Sequence, residues 1–172
     1  MGTSKLMIAA LAAALTVPTG AQAAGVPATT DSGGKALILV PLTLTKIDDL
    51  DFGTVIPSSV SGVVTINATT GARSFAGGVT GISTVAGNRA EFAGAGSPSQ
   101  QVILALSPPA QLTSAAGDTV DVLGLTLNGS AIRTIDPTTR AFFVGVGGSL
   151  LIGGDQPEGD YSADFSLTAI YQ

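Results

Sequence analysis

Gly159-Asp-Tyr-Ser-Ala-Asp-Phe-Ser-Leu-Thr-Ala-Ile-Tyr-Gln172 is the stretch that decides the predicted fold of this 172-residue chain. Its even positions are polar with the exception of Ile170, whereas its odd positions are small or apolar: Gly159, Tyr161, Ala163, Phe165, Leu167, Ala169 and Tyr171. A period of two predicts a β-strand with one buried face. The pattern runs to Gln172, so we expect that contacts hold this end of the chain in place.

Residues 1–23 have the features of a secretory signal peptide. Lys5 supplies the positive charge, residues 6–17 form an apolar run, and Ala21-Gln22-Ala23 matches an A-x-A cleavage site. The run is shorter than the roughly 20 residues that a membrane-spanning helix needs. We therefore expect an exported protein whose mature chain begins near Ala24.

The composition argues against several classes of function. The chain contains no cysteine, histidine or tryptophan, which removes disulfides, thiol nucleophiles, the commonest general base and the usual zinc ligands. We therefore expect no enzyme, no cofactor and no metal site. The net charge of −5 becomes −6 without Lys5, which disfavours nucleic acid and anionic membranes as partners.

Short runs with strand character alternate with turn signals along the chain. They lie at residues 50–56, 62–66, 71–75, 101–107, 119–127, 141–146, 149–152 and in the C-terminal stretch, with a further short run near 90–92. Seven or more strands at roughly ten-residue spacing predict an all-β fold, an immunoglobulin-like β-sandwich. Residues 76–100 are rich in Gly, Ala and Ser and have no clear period.

Two segments precede these strands. Residues 24–34 are small and polar with Gly and Pro, which predicts a flexible leader. Residues 35–45 (KALILVPLTLT) are far more apolar, and one face carries Ala36, Ile38, Val40, Leu42 and Leu44. Apolar residues on both faces near the start of this segment are typical of a strand inserted between two others. Pro41 cannot donate a ladder hydrogen bond, so either the whole segment is an intramolecular strand bent at Pro41, or residues 35–40 pair elsewhere and 42–47 open the first strand.

Two stretches carry a resemblance to known families. Gly159, the alternating residues after it and the penultimate Tyr171 resemble the C-terminal strand of chaperone-usher pilins, the subunits of bacterial surface fibres. Leu50-x-Phe52-Gly53-Thr54, followed by Gly62-Val-Val-Thr-Ile66, is similar to an uncharacterised family of secreted bacterial domains and to the spore-coat-U-like subunits of archaic chaperone-usher pili. This chain lacks the cysteine pair that the archaic subunits typically carry.

The resemblance implies a pilin-like β-sandwich at residues 46–172 that is incomplete and is completed by a donated N-terminal strand of a neighbouring subunit. It makes residues 35–45 the candidate donor strand, acting through Ala36, Ile38, Val40, Leu42 and Leu44. The acceptor groove would be formed by Gly159, Tyr161, Phe165, Leu167, Ala169 and Tyr171. The implied partners are identical subunits, a periplasmic chaperone, an outer-membrane usher and a host or abiotic surface. The implied location is the periplasm in transit and then a fibre at the cell surface.

Two other functions stay open at this point. A self-contained secreted adhesin or binding module would supply all its strands internally and would use loops such as residues 76–100 for a ligand. A secreted enzyme would use the acidic clusters Asp48-Asp49-Asp51 and Asp155-Glu158-Asp160. Neither cluster has the spacing of an EF-hand loop, and carboxylates near turns are usually solvated.

Overall fold

The computed structural model describes Thr30 and residues 32–172. The predicted signal peptide at residues 1–23 lies outside the described residues, as does most of the predicted leader at 24–34. The chain divides into two units, Met1–Ala36 and Leu37–Gln172. Residues 32–36 are exposed and have no regular secondary structure, so the described fold is that of the second unit.

The second unit is built from strands, and no described residue lies in a helix. The strands are β1 (Thr43–Asp48), β2 (Val55–Ile66), β3 (Arg73–Gly81), β4 (Ala90–Ala95), β5 (Gln101–Ser107), β6 (Gln111–Ser114), β7 (Thr119–Leu127), β8 (Ile132–Thr134), β9 (Ala141–Ile152), β10 (Tyr161–Ser162) and β11 (Ser166–Tyr171). This confirms the predicted all-β fold.

Two sheets are present, and β9 organises the larger one. The eight-stranded sheet has the order β1-β4-β9-β7-β6-β10, with β2 paired to both β9 and β3. The first half of β9 pairs with β4, and its second half pairs with β2 on one side and β7 on the other. The second sheet has the order β11-β5-β8. All strand pairs in both sheets are antiparallel.

The length of β9 corrects the prediction of two strands at residues 141–146 and 149–152. Gly147 and Gly148 lie within this strand and do not form a turn. Their lack of a side chain lets the neighbouring strands approach closely. A β-carbon on Gly147 would collide with the carbonyl oxygen of Ile66 in β2, and one on Gly148 would collide with the side chain of Leu125 in β7. Glycine is therefore needed here for close packing rather than for a turn.

The core consists of two clusters, as expected for strands that curl around each other. The first joins the two sheets and contains Ala90, Val102, Leu104, Ile135, Phe142, Val144 and Val146. The second lies within the curl of the larger sheet and contains Val64, Val79, Val120, Leu150 and Ile152. Inward residues alternate with outward ones along β5, residues 144–148 at the centre of β9 are all buried, and the architecture is that of a β-sandwich.

The C-terminal stretch is two strands and not the single strand that its alternation predicted. Tyr161 and Ser162 pair with β6 in the larger sheet, whereas Ser166–Tyr171 pairs with β5 in the smaller one. The chain crosses between the sheets at Ala163–Phe165. Phe165 keeps the crossing packed, because its ring meets the edge of Phe92 on β4 with the ring centroids 6.1 Å apart.

Candidate functional site

Strand β11 lies at an edge of the smaller sheet and, within the described residues, pairs only with β5. The amide of Gln172 donates to the carbonyl of Gln101 over 3.0 Å, so the backbone groups of Gln172 point towards β5. In an antiparallel ladder, successive residues of a strand point their backbone groups to opposite sides. The backbone groups of Leu167, Ala169 and Tyr171 therefore point away from β5. The free side of β11 therefore presents backbone donors and acceptors at three residues whose side chains turn towards the core.

Strand β1 is an edge of the larger sheet, and β4 is its sole ladder partner in the part of the chain that the structure describes. Leu42, just before β1, and Leu44 within it are half-buried against the first core cluster. Leu167, Ala169 and Tyr171 of β11 are half-buried against the same cluster. No ladder joins β1 to β11 in the described residues, so the sandwich is open along this side.

A groove with a volume of about 940 Å³ lies between other parts of the chain; Lys46 is the β1 residue that lines it, and its lining reaches Phe165, the residue before β11. One wall runs from Lys46 to Pro57, and the other runs from Gln156 to Phe165. Its floor is apolar and consists of core or core-adjacent side chains of β6, β7 and β9: Leu112, Val120, Val122, Leu125, Leu150 and Ile152. A groove with an apolar floor, one wall of which continues along the chain into edge strand β11, is suited to an extended apolar segment.

Arg73 holds the first wall in position. Its guanidinium group donates to the backbone carbonyls of Phe52 (3.0 Å), Thr54 (3.1 Å), Val85 (3.1 Å) and Ile82 (2.6 Å). The same group lies 4.9 Å from the centre of the Phe75 ring, within cation–π range. Only the planar fork of arginine can serve four carbonyls at once, so Arg73 ties the wall to the loop that follows β3.

Tyr161 holds the second wall. Its hydroxyl donates to the carbonyl of Pro157 over 2.7 Å and lies 3.0 Å from the side-chain amide of Gln156. That amide also donates to the carbonyl of Thr119 on β7. These bonds fix the turn that contains Gly159, whose φ of 159° is close to extended backbone.

The rim of the groove is acidic. Its lining includes Asp49, Asp51, Glu158, Asp160 and Asp164, against Lys46 as the basic residue. Lys46 and Asp49 are exposed and form an ion pair of 2.6 Å, an arrangement that contributes little to stability in water. The rim therefore leaves several carboxylates in solvent around an apolar floor.

The structure separates the predicted donor residues into two groups. Ala36 is exposed in the first unit, and Ile38 and Val40 are 91% and 47% exposed in an extended segment without secondary structure. Leu42 and Leu44 differ from the prediction. Both pack against this chain's own core, because β1 begins at Thr43 and pairs with β4. The interpretation in which the chain's own first strand opens after Pro41 therefore describes the structure better than a donor that extends to residue 45.

The predicted acceptor residues fall into two groups. Gly159, Tyr161 and Phe165 line the groove, whereas Leu167, Ala169 and Tyr171 are not in its lining and pack against the first core cluster from β11. Sequence reasoning missed the opposite wall, Leu50–Val55, although the Leu-x-Phe-Gly-Thr motif marks it. It also missed Ser97, whose amide donates to the Tyr171 hydroxyl over 2.8 Å. Ser97 lies in the Gly-rich stretch at residues 76–100, where no alternation of polar and apolar residues indicates which side chains face the core.

Two carboxylates of the first acidic cluster take part in local contacts. Asp51 accepts from the amide of Gly53 over 2.7 Å, and Asp49 accepts from the ammonium group of Lys46 over 2.6 Å. No group of three metal-ligating side chains occurs within residues 32–172 or at Thr30. Elsewhere, amide donation from Thr139 and then Thr138 lowers the pKa of Asp136 from its ordinary value of 3.8.

The fold and site define an all-β sandwich that has an apolar-floored groove and, among the described residues, two edge strands, β1 and β11, each paired on one side. The chain belongs to the family described as domain of unknown function (DUF4402), whose model matches residues 42–171. No curated protein and no solved structure was found to match the chain. In the part of the chain that the structure describes, there is no helix long and apolar enough to cross a membrane.

Proposed function

We propose that the protein is a structural subunit of a bacterial surface pilus that polymerises by donor-strand exchange. The donor is the apolar segment that ends at Leu39, and the acceptor is the free edge of β11 together with the groove that Gly159, Tyr161 and Phe165 line in the next subunit. A periplasmic chaperone would occupy the groove before assembly, and an outer-membrane usher would be the place of exchange. The signal-peptide pattern in residues 1–23 supports export on this route.

One observation carries the proposal: among the described residues, the same chain has a strand edge without a ladder partner at β11 and an apolar segment that belongs to no ladder. Leu37 and Ile38 are 74% and 91% exposed, an unfavourable state for two large apolar side chains. An exposed strand edge invites pairing with another chain. Exchange of the segment between copies would cover both features at once.

The magnitudes suit a long-lived joint. Burial of each large apolar donor side chain is worth about 1.5–3 kcal/mol, and each new ladder hydrogen bond adds about 0.5–1.5 kcal/mol. Association and ordering cost several kcal/mol. The chain has no cysteine, so the joint rests on packing and strand pairing alone.

The test compares two proteins by size-exclusion chromatography and negative-stain microscopy. One begins at Ala24, and the other lacks residues 24–39 but is given that segment as a free peptide. We expect the first to form SDS-resistant, heat-dissociable multimers, and the second to be a monomer stabilised by the peptide. Two stable monomers that do not respond to the peptide would contradict the proposal and leave a self-contained binding module.

A further inference from the structure

Three hydrogen bonds join the last strand to the base of the N-terminal segment. The Tyr171 hydroxyl donates to the carbonyl of Val40 over 2.7 Å, and the amide of Ser97 donates to the Tyr171 hydroxyl over 2.8 Å. The amide of Val40 donates to Oγ of Ser97 over 2.7 Å. Both backbone groups of Val40 are therefore bonded to side chains that lie 57 and 131 positions away in the chain.

The partners of Val40 are themselves held firmly. Ser97 is 7% exposed and lies in the turn from β4 to β5, which links the two sheets. The amide of Ser99 in this turn donates to the carbonyl of Ile135, a fully buried residue. Release of Val40 would leave the buried Ser97 hydroxyl without this partner, which is unfavourable. Pro41 adds a restriction of its own, because its ring fixes φ and keeps the preceding residue extended.

The segment before Val40 has a different character. Leu37 and Ile38 are largely exposed, and neither forms a hydrogen bond with a side chain or a strand ladder among the described residues. We infer that Tyr171 and Ser97 are positioning residues that hold Val40 to its own domain, so that the segment available to a partner ends at Leu39.

This boundary has a consequence for a fibre, and that part of the inference rests on the proposed function. In such a fibre, Leu39 is the last residue inserted into the neighbouring subunit, and Val40 is the first residue bound to its own domain. No linker residue then separates the two subunits. A residue spans at most about 3.6 Å of extended chain, so consecutive subunits would lie in contact. The three hydrogen bonds would then stiffen the joint between subunits.

Residue-resolved hydrogen exchange on the monomeric fraction of the full chain tests the hold on Val40. The Val40 amide should exchange roughly three- to tenfold more slowly than the amides of Leu37 to Leu39, the range expected for one hydrogen bond. Ser97→Ala should abolish this protection, and Ser97→Thr, which keeps the hydroxyl, should retain it. Tyr171→Phe should weaken it by removing the bond to the Val40 carbonyl.

Tyr161→Phe is the matched control. It removes an equivalent bond from a tyrosine hydroxyl to a backbone carbonyl, in this case that of Pro157, and lies on the same C-terminal stretch. We expect it to leave Val40 exchange unchanged. Equal exchange at Val40 and at Leu37 to Leu39 in the unmodified protein would overturn the inference, as would equal effects of the two Tyr→Phe substitutions.

Electron microscopy of multimers tests the consequence for the joint. Tyr171→Phe fibres should have a shorter persistence length than those of the unmodified protein. Equal stiffness in the two would overturn the stiff joint. Absence of multimers from the unmodified protein would instead contradict the proposed function. Hydrogen exchange at Val40 would still show whether Val40 is bound to its own domain.

Discussion

The hydroxyl of Tyr171 lies over the α-carbon of Gly96, so close that a β-carbon at this position would collide with it. The same β-carbon would also press on Ile135 and Leu42. Gly96 thus provides the space through which Tyr171 reaches Val40 and Ser97. The Tyr171 hydroxyl is held in this way between Val40 and Ser97.

Gly96→Ala should lower the free energy of unfolding of the monomer by about 1–3 kcal/mol, because overpacking forces Tyr171 to move. In a Tyr171→Phe background the loss should be smaller, since the colliding oxygen is absent. Urea unfolding of the two single variants and the double variant measures the coupling. Simple additivity would show that the collision does not involve the hydroxyl.

Ile135→Ala should remove about 2–5 kcal/mol from the free energy of unfolding. Ile135 is fully buried in the cluster that joins the two sheets. Ile132, three positions earlier, is 44% exposed, and Ile132→Ala should cost less than about 1 kcal/mol. Equal losses in urea unfolding would mean that the first cluster does not lie where the structure places it.

Arg73→Lys should lower the free energy of unfolding by about 1–3 kcal/mol, because a lysine ammonium cannot serve four carbonyls in one plane. The loss should be local, so hydrogen exchange should rise most at residues 52–54 and 82–85. Arg140→Lys is the control at an exposed arginine. A similar exchange pattern in both variants would contradict a role for Arg73 in the groove wall.

Asp136→Asn should change how stability depends on pH. Amide donation from Thr139 and Thr138 to the carboxylate lowers the pKa of Asp136 below 3.8 in the folded chain. A lowered folded pKa means that the carboxylate stabilises the fold fully above the unfolded value, and that this is lost as pH falls through the folded one. The difference in urea midpoint between the two proteins should therefore be constant at neutral pH and should shrink below 3.8. A difference that does not vary with pH would contradict this.

Much of the sandwich follows from local pattern. Strands β5 and β7 have the bounds that alternation predicted, because their partners bury one face along the whole length. The break of the C-terminal stretch at residues 163–165 has no local signal, since both halves alternate in the same phase and only their partners differ. Short strands such as β8 are defined by the ladder with β5 rather than by their own three residues.

The site was predictable on one side only. The inward residues of the C-terminal strand could be predicted because apolar and polar residues alternate there in the sequence. Leu42 and Leu44 were placed in the donor because they share a face with Ile38, yet pairing of β1 with β4 assigns them to their own domain. Ser97 could not be found from the sequence, because its role depends on two partners far away in the chain.

Assembly of the Ile38→Asp variant is the measurement that tests the account most directly. Ile38 is 91% exposed, so a charge there should leave the unfolding free energy of the monomer within about 0.5 kcal/mol of its original value. Val60→Asp, at a side chain that is 62% exposed on β2, is the matched control. Both proteins, starting at Ala24, would be compared with the unmodified protein for SDS-resistant multimers. The account predicts that Ile38→Asp abolishes the multimers and that Val60→Asp does not, and multimers of undiminished amount and stability in Ile38→Asp would contradict it.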